Sequence, residues 1–595
     1  MFNKITLKKH YCKSCKAFSL DDKKIPSALF SIKNEKPALD GFPYPLPIKK
    51  SDLTLYAETG NIKWFGGKNG LVRYNENADK PYNKVIYFSA DRDLRDNNVK
   101  ALYAENENLW VLTETAVTLI EPKYMGGEEL ANLLLDETNK YVIRRGMVSQ
   151  KHLKEAYNFS TALPYDNSDN DGGFTAAHVL GEIFHYAVLK REKGINDPET
   201  QKIKAIATKS VEACLLLMYI HGRGNGFVAR TYCCNDEPIP DDGIFFIRNG
   251  NKAKIHETSA AKRLGVSGLE IDCSAPIPER LRKLFTQEGY SEDGMVYKAD
   301  TSSDEITLHS IMLYFAHTLL ACDDPELDEL IKTSYARLVN FIIDGDFTLT
   351  DYHGHSTTWA KWNEEYFLTE DGWVDGALNS AEMLFYLKLA SEMCDDNKRF
   401  VDKYNYLINE RGYADMTMKH IDRLTQYCIA TNTEDVENIM YGDHFLAVAS
   451  FAGLCLLEKD EELLKKYRYG FKTWMPTIER EYTPMYSFFY LLGCPDEKIR
   501  EDKIEEFFLR FNISRLASSV TVVGRHDVPL RNRMDGYKDI SVLLPPDERF
   551  IAKFDRDPFE YKNEDSGGKM VIEGCMVYTL SYWLGRYYNF IEDEQ

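Results

Sequence analysis

The feature that most constrains this chain is a series of long apolar segments with helical spacing, which begins at about residue 126. Apolar residues recur at intervals of three and four, the period of one helix face. Some segments are apolar around most of their circumference, and others keep one polar face. Alternation of these two kinds predicts a double layer of helical hairpins. The segments are FTAAHVLGEIFHYAVLKR, KAIATKSVEACLLLMYI, ITLHSIMLYFAHTLLA, DELIKTSYARLVNFII, GALNSAEMLFYLKLASEM, HFLAVASFAGLCLLEK and VIEGCMVYTLSYWLGRYY.

Six segments are candidates for the inner layer of such an arrangement. Six inner and six outer helices form an (α/α)6 toroid, in which the N-termini of all inner helices open on one mouth. We therefore predict a mainly α fold, in which residues 126–595 form an (α/α)6 catalytic domain. The predicted inner helices begin near Phe174, Ile306, Ala377, His444, Met485 and Met570.

Residues 1–125 have a β-rich pattern instead. The stretch NIKWFGGKNGLVRYN combines a short apolar run around Trp64, a glycine-rich turn and an alternating strand. Trp110 holds the corresponding place in NLWVLTETAVTLIE, 46 positions later. Such a recurrence is typical of β-propeller blades, and both stretches resemble the propeller repeats of bacterial two-component sensors. A closed propeller needs about four blades or more, and this segment is too short for them. We therefore predict a small propeller-blade-like domain that packs on the helical part.

Charge and composition limit the partners and the compartment. The formal net charge of -20 argues against a general role on nucleic acid or on an anionic membrane. The N-terminal stretch lacks an apolar signal region, and no uncharged apolar run is long enough to span a bilayer, which predicts a cytoplasmic protein. The twelve cysteines are then expected to be reduced thiols. The CxxC that starts at Cys12 lies far from the adjacent pair that starts at Cys233, which disfavours a zinc site.

Acidic residues are concentrated just before the predicted inner helices. YDNSDNDGG precedes the first helix, DTSSDE the second, EDGWVDG the third and YGDHF the fourth. Asp and Ser are preferred N-caps, and acids stabilise the positive end of a helix, so capping explains a single acid in each segment. Capping does not explain several carboxylates within one turn, because like charges in close proximity cost stability. The density of acids predicts a functional site at the mouth.

Paired carboxylates across a cleft suit the cleavage of a glycosidic bond. One protonates the leaving oxygen, and the other activates water or attacks carbon. The two tryptophans of the polar, aromatic stretch 346–367 suit the apolar faces of sugar rings. The candidate catalytic residues are Asp169, Asp171, Asp304, Glu305 and Asp443. The candidate substrate-binding residues are Asp300, His309, Trp359, Trp362, Asn379, Glu382, Tyr441, His444, Arg525 and His526.

No metal or cofactor is expected to be required. NSDNDG at 167–172 begins like an EF-hand loop, but His178 stands where the closing Glu would be, so only an isolated structural calcium ion stays open as an alternative. Glu182 and His185 share a helical face with His178, at a spacing that differs from HExxH, and core histidines are the expected interpretation. Dinucleotide, P-loop and nucleophile-elbow motifs are absent from the sequence.

The helical region resembles the six-hairpin glycosidase class of (α/α)6 enzymes, which includes glycoside hydrolases and related polysaccharide lyases. The resemblance is carried by DNSDNDGGFTAAHVLGEIFHYAV, YKADTSSDEITLHSIML, GALNSAEMLFYLKLA and YTLSYWLGRYYNF, and spans most of residues 140–590. It matches no single characterised family and carries over no catalytic residue. What it implies is an architecture and an activity on carbohydrates.

Three functions stay open at this point. The first is a glycoside hydrolase acting on oligosaccharides or glycosides. The second is a lyase or epimerase acting on uronates, with Tyr441 or His444 as base and an arginine such as Arg230, Arg480 or Arg525 to neutralise the substrate carboxylate. The acidic balance of the chain ranks it second. The third is a non-catalytic sugar-binding or scaffold protein, and the β-rich segment could cover the mouth or mediate homo-oligomer formation.

Overall fold

A computed structural model describes residues 4–90, 92–155, 158–167, 170–431, 443–513, 524–532, 538–549, 558–559, 571–572 and 574–594. Helix accounts for 46% and strand for 19%. A β-rich N-terminal region is followed by a largely helical region, which is compatible with the predicted order of the two regions along the chain. Asp169 and Tyr441, two of the candidate site residues, lie outside the described residues.

The strands are short, and those of the N-terminal region account for most of the extended structure. In the described residues they are β1 (Ile5–Leu7), β2 (His10–Phe18), β3 (Leu53–Thr59), β4 (Ile62–Gly67), β5 (Gly70–Asn75), β6 (Val85–Phe88), β7 (Ala101–Glu105), β8 (Asn108–Leu112), β9 (Val117–Met125), β10 (Ile143–Arg144), β11 (Met147–Val148), β12 (Lys151–Leu153), β13 (Ala162–Tyr165), β14 (Tyr232–Cys233), β15 (Phe245–Asn249), β16 (Lys252–Ile255), β17 (Glu270–Asp272), β18 (Val296–Lys298), β19 (Thr348–Thr350), β20 (Ser356–Lys361), β21 (Leu530–Asn532), β22 (Lys538–Ile540), β23 (Val571–Ile572) and β24 (Ile591–Asp593).

The α-helices begin directly after the last strand of the N-terminal region. Within the described ranges they are α1 (Gly127–Tyr141), α2 (Asp171–Glu192), α3 (Pro198–Leu217), α4 (Ser259–Arg263), α5 (Glu279–Thr286), α6 (Ser303–Phe315), α7 (Pro325–Asp344), α8 (Glu364–Phe367), α9 (Glu370–Met393), α10 (Lys398–Asn409), α11 (Tyr413–Met416), α12 (His420–Thr431), α13 (His444–Leu457), α14 (Glu461–Ile478), α15 (Pro484–Gly493), α16 (Glu501–Leu509) and α17 (Met576–Tyr587).

The N-terminal strands form two four-stranded antiparallel sheets. One has the order β3-β4-β5-β6, and the other has the order β2-β9-β8-β7. Trp64 lies on β4 and Trp110 on β8, each on the second strand of a meander, so the recurrence in the sequence corresponds to two similar units. Trp64 shares a core with Leu102 and Leu109 of the other sheet, which joins the two units. Strand β1 instead pairs in parallel with β24, and its Ile5 belongs to the core of the helical region.

Six apolar helices pack against one another in a closed cycle of helix–helix contacts, and we call them the core helices. α2 packs against α6, α6 against α9, α9 against α13, α13 against α15, α15 against α17, and α17 against α2. They correspond to the six segments predicted as the inner layer. α6 also packs against α13. The helices that follow α2, α9 and α13 in the chain, which are α3, α10 and α14, each fold back on the preceding core helix as a hairpin.

Two core helices begin at positions that differ from the prediction. α17 begins at Met576 instead of near Met570, and α9 begins at Glu370 instead of near Ala377. The earlier start of α9 has a local cause, because the hydroxyl of Thr369 accepts the backbone N–H of Gly372 at 3.0 Å and caps the helix. The glycines and acids of EDGWVDG therefore form two helical turns, although such residues are typical of a loop.

Helix α6 is the first part of a longer apolar helical stretch. A π-helical turn (Ala316–Leu320) and a 3-10 turn (Ala321–Asp323) extend it. The whole stretch, Ser303–Asp323, is long and apolar enough to cross a membrane by length and composition. In this structure 72% of its apolar window is buried inside the protein. A core helix of a folded domain meets the same criterion.

A buried network of charged side chains joins the β-rich region to the C-terminal part. Lys13 Nζ lies 3.2 Å from an oxygen of Asp93 and 3.2 Å from an oxygen of Asp547, and only 3% of the Lys13 side chain is exposed. Arg510 contacts Asp547 at 2.9 Å and Glu548 at 2.6 Å. Burial would raise the pKa of Glu548, but neighbouring guanidinium groups lower it to about 2. Each buried charge therefore has a partner of opposite sign.

Replacing Lys13 by Met would remove the cation that contacts two buried carboxylates, of which only Asp547 keeps the guanidinium of Arg510. We expect Lys13→Met to lower the free energy of unfolding by about 3 kcal/mol or more, measured by urea denaturation. Lys80→Met is the matched control, because Lys80 joins the same parts through Glu505 at 2.7 Å but is 45% exposed. The control should lose less than about 1 kcal/mol. Similar small losses in both variants would contradict a stabilising role for the buried network.

Candidate active site

Carboxyl groups from three core helices lie close together near the helix N-termini. We call Asp304 of α6, Asp375 and Glu382 of α9, and Asp443 at the start of α13 the acid cluster. Burial is the main cause that raises the pKa of Asp443 well above its usual value. Asp375, Asp304 and Glu382 raise it further when they are ionised. Like charges within reach of one another disfavour ionisation, so Asp443 holds its proton more tightly than an isolated carboxyl group would.

Helix capping does not account for these acids. The hydroxyl of Ser302 accepts the backbone N–H of Asp304 at 3.4 Å and caps α6, and Thr369 caps α9. Asp443 occupies the N-cap position of α13 without a hydrogen bond from its side chain to the first turn. The caps of α6 and α9 are therefore hydroxyl groups. Neither Asp304 nor Asp443 caps its helix with its carboxyl group.

Glu382 is the most deeply placed member of the acid cluster. Its Oε1 accepts a hydrogen bond from Thr307 Oγ1 at 2.6 Å, and its Oε2 accepts one from Trp362 Nε1 at 2.7 Å. Burial raises its pKa to about 8, although these two hydrogen bonds oppose the rise. The carboxyl group is therefore mainly protonated at neutral pH. Thr307 Oγ1 also lies 2.6 Å from Tyr386 Oη, which continues the buried polar chain.

Trp362 is placed differently from the exposed ring that the sequence predicted. It is fully buried, and its ring lies 5.4 Å from the ring of Tyr386 in an edge-to-face arrangement. Its role here is to hold Glu382 through the indole N–H. Trp359, three positions earlier on β20, is 53% exposed and keeps an open aromatic face. The difference arises because the chain leaves β20 after Lys361 and turns inward.

Helix α9 carries a polar face that runs from solvent into the interior. Asp371, Asp375, Asn379 and Glu382 follow one another at intervals of three or four and lie on the same side of the helix. Asp371 is exposed, Asp375 is half-buried, and the last two are buried. Asn379 Nδ2 donates to the backbone oxygen of Lys361 at 2.8 Å, which ties the helix to β20. Asp375 was not among the candidate site residues, and this spacing is the signal that could have identified it.

A second group of acids surrounds Arg230. Arg230 Nε lies 3.8 Å from Glu305 Oε1, and Arg230 Nη1 lies 3.9 Å from Asp300 Oδ2. Both distances exceed that of a hydrogen bond. Glu305 is fully buried, and neither of its carboxyl oxygens has a hydrogen-bond partner among the described residues. Burial raises its pKa well above the usual value, and the cation of Arg230 opposes this rise.

Asp171 is positioned by the protein itself. It is fully buried in the first turn of α2, where its Oδ2 accepts a hydrogen bond from Thr231 Oγ1 at 2.7 Å and lies 4.0 Å from Arg144. Neither Asp171 nor Glu305 has exposed surface for a direct contact with a substrate. Both differ in this respect from Asp304 and Asp443, which are partly exposed. The structure thus divides the predicted catalytic acids into two accessible residues and two enclosed ones.

The histidines predicted to bind substrate are enclosed as well. His309 is fully buried, and its Nδ1 lies 2.6 Å from the backbone oxygen of Glu305. Burial lowers its pKa to about 4. His444 is buried with its Nε2 4.0 Å from Glu481 Oε1, and burial together with cationic neighbours lowers its pKa to about 3. Both imidazoles are therefore neutral at neutral pH.

Arg525 and His526 lie away from the acid cluster, in the region that contacts the β-rich sheets. Arg525 Nη1 contacts Glu548 at 2.8 Å, and its guanidinium lies 4.7 Å from the ring centre of Tyr87. Arg525 therefore belongs to the buried charge network, which corrects its assignment to substrate binding. The sequence suggested Arg525 as a group that could neutralise a substrate carboxylate, but Asp527 and Glu548 of the protein itself pair with it. His526 is exposed, and its backbone N–H donates to the oxygen of Pro47 at 3.1 Å.

Of the two metal sites weighed from the sequence, the one that contains histidines has a structural explanation in the described residues. Glu182 and His185 are fully buried in the middle of α2, His185 Nδ1 lies 3.0 Å from Glu182 Oε2, and the imidazole stacks on Trp583 at 3.6 Å. These are core side chains, as expected. In the calcium-like segment, Asn167 Nδ2 donates to a backbone oxygen at 2.7 Å. Its Asp169 lies outside the described residues.

The pKa of Glu382 makes a specific prediction for stability. Between pH 4.5 and about pH 8 the unfolded chain ionises this carboxyl group while the folded protein keeps it protonated. Glu382 therefore lowers stability as the pH rises, by up to about 1.4 kcal/mol per pH unit. In Glu382→Gln this contribution is absent, so the stability of the variant relative to wild type should increase from pH 5 to pH 8 in urea titrations. The new amide can donate to Thr307 while that hydroxyl donates to Tyr386.

Glu370→Gln is the matched control for this measurement. Glu370 is exposed at the start of the same helix, so water hydrates its carboxylate in the folded and the unfolded state. The difference between this control and wild type should stay constant with pH. A constant difference for Glu382→Gln as well would contradict a protonated Glu382.

No protein-family model matches this chain, and no curated protein matches it. The chemistry of the site therefore rests on the residues described above. The similarity to six-hairpin enzymes stays a resemblance of architecture.

Proposed function

We propose that this protein is a carbohydrate-active enzyme and that it hydrolyses glycosidic bonds at the acid cluster. In this proposal the six core helices and their partner helices in residues 126–595 form an (α/α)6 toroid, and the acid cluster lies at its mouth. The observation that carries the proposal is the raised pKa of Asp443 beside other carboxyl groups. A carboxyl pair in which one member keeps its proton and the other supplies a carboxylate is what glycoside hydrolysis requires.

The two accessible acids take the two chemical roles. Asp443, whose pKa is raised well above its usual value, donates a proton to the leaving oxygen of the glycosidic bond. Asp304 supplies the carboxylate that activates water or attacks the sugar carbon. Both side chains are partly exposed, so a substrate can approach them. Asp375 acts as a positioning residue, because its carboxylate raises the pKa of Asp443.

The substrate proposed is an oligosaccharide or a small glycoside. Trp359 offers an exposed aromatic face on β20, and the backbone of the same strand is fixed to α9 by Asn379. An aromatic face can pack against the apolar C–H face of a sugar ring. The net charge of -20 favours neutral sugars over anionic polymers and over nucleic acid or membrane partners. A cytoplasmic location and the absence of a cofactor requirement remain parts of this proposal.

A uronate lyase or epimerase is the second candidate, and Arg230 is the observation that favours it. Its guanidinium side chain is 12% exposed and lies close to Asp300 without a hydrogen bond to it. Such a group can neutralise the carboxylate of a uronate. The other requirement is a base, and His444 with a pKa of about 3 is a weak one. The predicted base Tyr441 lies outside the described residues.

Substitution of the two accessible acids tests the hydrolase. We expect Asp443→Asn and Asp304→Asn each to lower kcat by about 100-fold or more on an active substrate, because each removes a group that transfers a proton or attacks carbon. Asp371→Asn is the matched control, since Asp371 is an exposed acid on the first turn of α9. It should keep wild-type kcat. A panel of neutral and uronate-containing oligosaccharides is assayed for new reducing ends.

The same assay separates the alternatives. Absorbance of an unsaturated uronate in the product, lost in Arg230→Met, would replace hydrolysis by elimination. Binding of an oligosaccharide without any product would favour the sugar-binding protein. Wild-type turnover in Asp443→Asn and Asp304→Asn would remove the acid cluster from the mechanism. Circular dichroism of each variant verifies that the loss is not caused by unfolding.

A further inference from the structure

The turn between β19 and β20 brings together three side chains that can ligate a metal. Asp351, His353 and His355 each offer one ligand atom, and these atoms all lie within 4.8 Å of one another. It is the one group of three or more His, Cys, Asp or Glu side chains with this property in the parts of the chain that the structure describes. Both histidines are exposed, and Asp351 is half-buried. The group is separate from the acid cluster and from the charge network.

The turn is already held in a shape that presents these ligands. Asp351 Oδ1 accepts the backbone N–H of His353 at 2.7 Å and that of His355 at 3.0 Å, and the N–H of Asp351 donates to the oxygen of His355 at 2.8 Å. Gly354 has a φ of +80°, which a side chain would disfavour. Arg223 donates to the Asp351 backbone oxygen at 3.1 Å and fixes the base of the turn.

We propose that this turn binds a divalent transition-metal ion, with Zn²⁺ as the ion of best chemical fit. Two imidazole nitrogens and one carboxylate oxygen form a ligand set that suits zinc and its neighbours in the first transition row. Calcium and magnesium prefer oxygen ligands alone, so this set disfavours them. Zinc bonds of about 2 Å bring ligand atoms closer than 4.8 Å, so the exposed imidazoles must shift on binding. The ring of His353 lies 4.2 Å from the ring of Tyr352 and 5.7 Å from that of His355, and it moves relative to these rings. Water or a substrate oxygen completes the coordination.

The turn is anchored to the fold on both sides of its ligands. The ring of Tyr352 packs edge-to-face on Phe246 at 5.3 Å, and Arg223 holds the backbone oxygen of Asp351. A bound dication would add positive charge at the turn. β20, which starts at the turn, also leads to Trp362 and hence to Glu382.

Calorimetric titration of the untagged full-length protein with ZnCl2 tests this site. Cys322, the exposed cysteine of the described residues, is replaced by Ser in every sample so that its thiolate does not compete. We expect one saturable site per chain and a loss of affinity of about tenfold or more in His353→Gln and in His355→Gln. Asp351→Asn should weaken binding as well, because the amide oxygen can still accept the two backbone N–H groups of the turn but carries no negative charge. His526→Gln, which changes an exposed histidine outside the turn, should bind as the parent does.

The outcome is clear in either direction, and it does not depend on the proposed hydrolase activity. Saturable binding that both turn variants lose and His526→Gln retains would establish the site. Absence of saturable binding in the parent would overturn the proposal. A zinc affinity of His353→Gln and His355→Gln equal to that of the parent would overturn it as well. The variants lie on an exposed turn, so thermal denaturation should show the same folded state in each.

Discussion

The structure depends on the mutual burial of six apolar helices. Each core helix contacts two others and, for α2, α9 and α13, also the helix that follows it in the chain. A helix with neighbours on several sides must be apolar around most of its circumference, as α13 is with HFLAVASFAGLCLL. Polar side chains are then confined to helix ends, to exceptional buried networks and to the outer helices. The acids near the N-termini of α6 and α13 follow from this constraint as much as from function.

The acid cluster is costly to the fold, and specific contacts limit the cost. Glu382 is buried with its proton and with donors on both oxygens, so no full negative charge stands in the interior at neutral pH. Glu305 has only the distant guanidinium of Arg230 and no hydrogen bond to its oxygens among the described residues. Groups with such strongly shifted pKa values are concentrated at functional sites in proteins. By contrast, the charges of Lys13, Asp547 and Arg510 neutralise one another and belong to the joint between two parts of the fold.

The positions of the helices and of the β units along the chain could be predicted, because they depend on patterns of neighbouring residues. The apolar period of three to four residues identified all six core helices, and the recurrence of Trp64 and Trp110 identified two β units. The start of α9 was missed because the cap supplied by Thr369 overrides the loop character of EDGWVDG. Arg525 was assigned to a substrate although two carboxylates of the protein pair with it. Asp527 is two positions away in the sequence, whereas Glu548 lies near Arg525 only in the fold. Trp362 and Trp359 look alike in the sequence, and only the path of the chain after β20 buries one and exposes the other.

The sequence by itself determined which segments are helical, which ends carry acids and how much charge the chain has. These properties depend on residue type and spacing, and neighbours along the chain fix them. The tertiary structure alone decided which of those acids are accessible to solvent and which raise the pKa of one another. It also decided which carboxyl group is buried with hydrogen bonds from a hydroxyl and an indole. Accessibility and pKa depend on distances between residues remote in sequence, such as Thr307, Trp362 and Glu382. Burial of a carboxyl group beside other carboxyl groups changes its protonation, and no local pattern of residues records that environment.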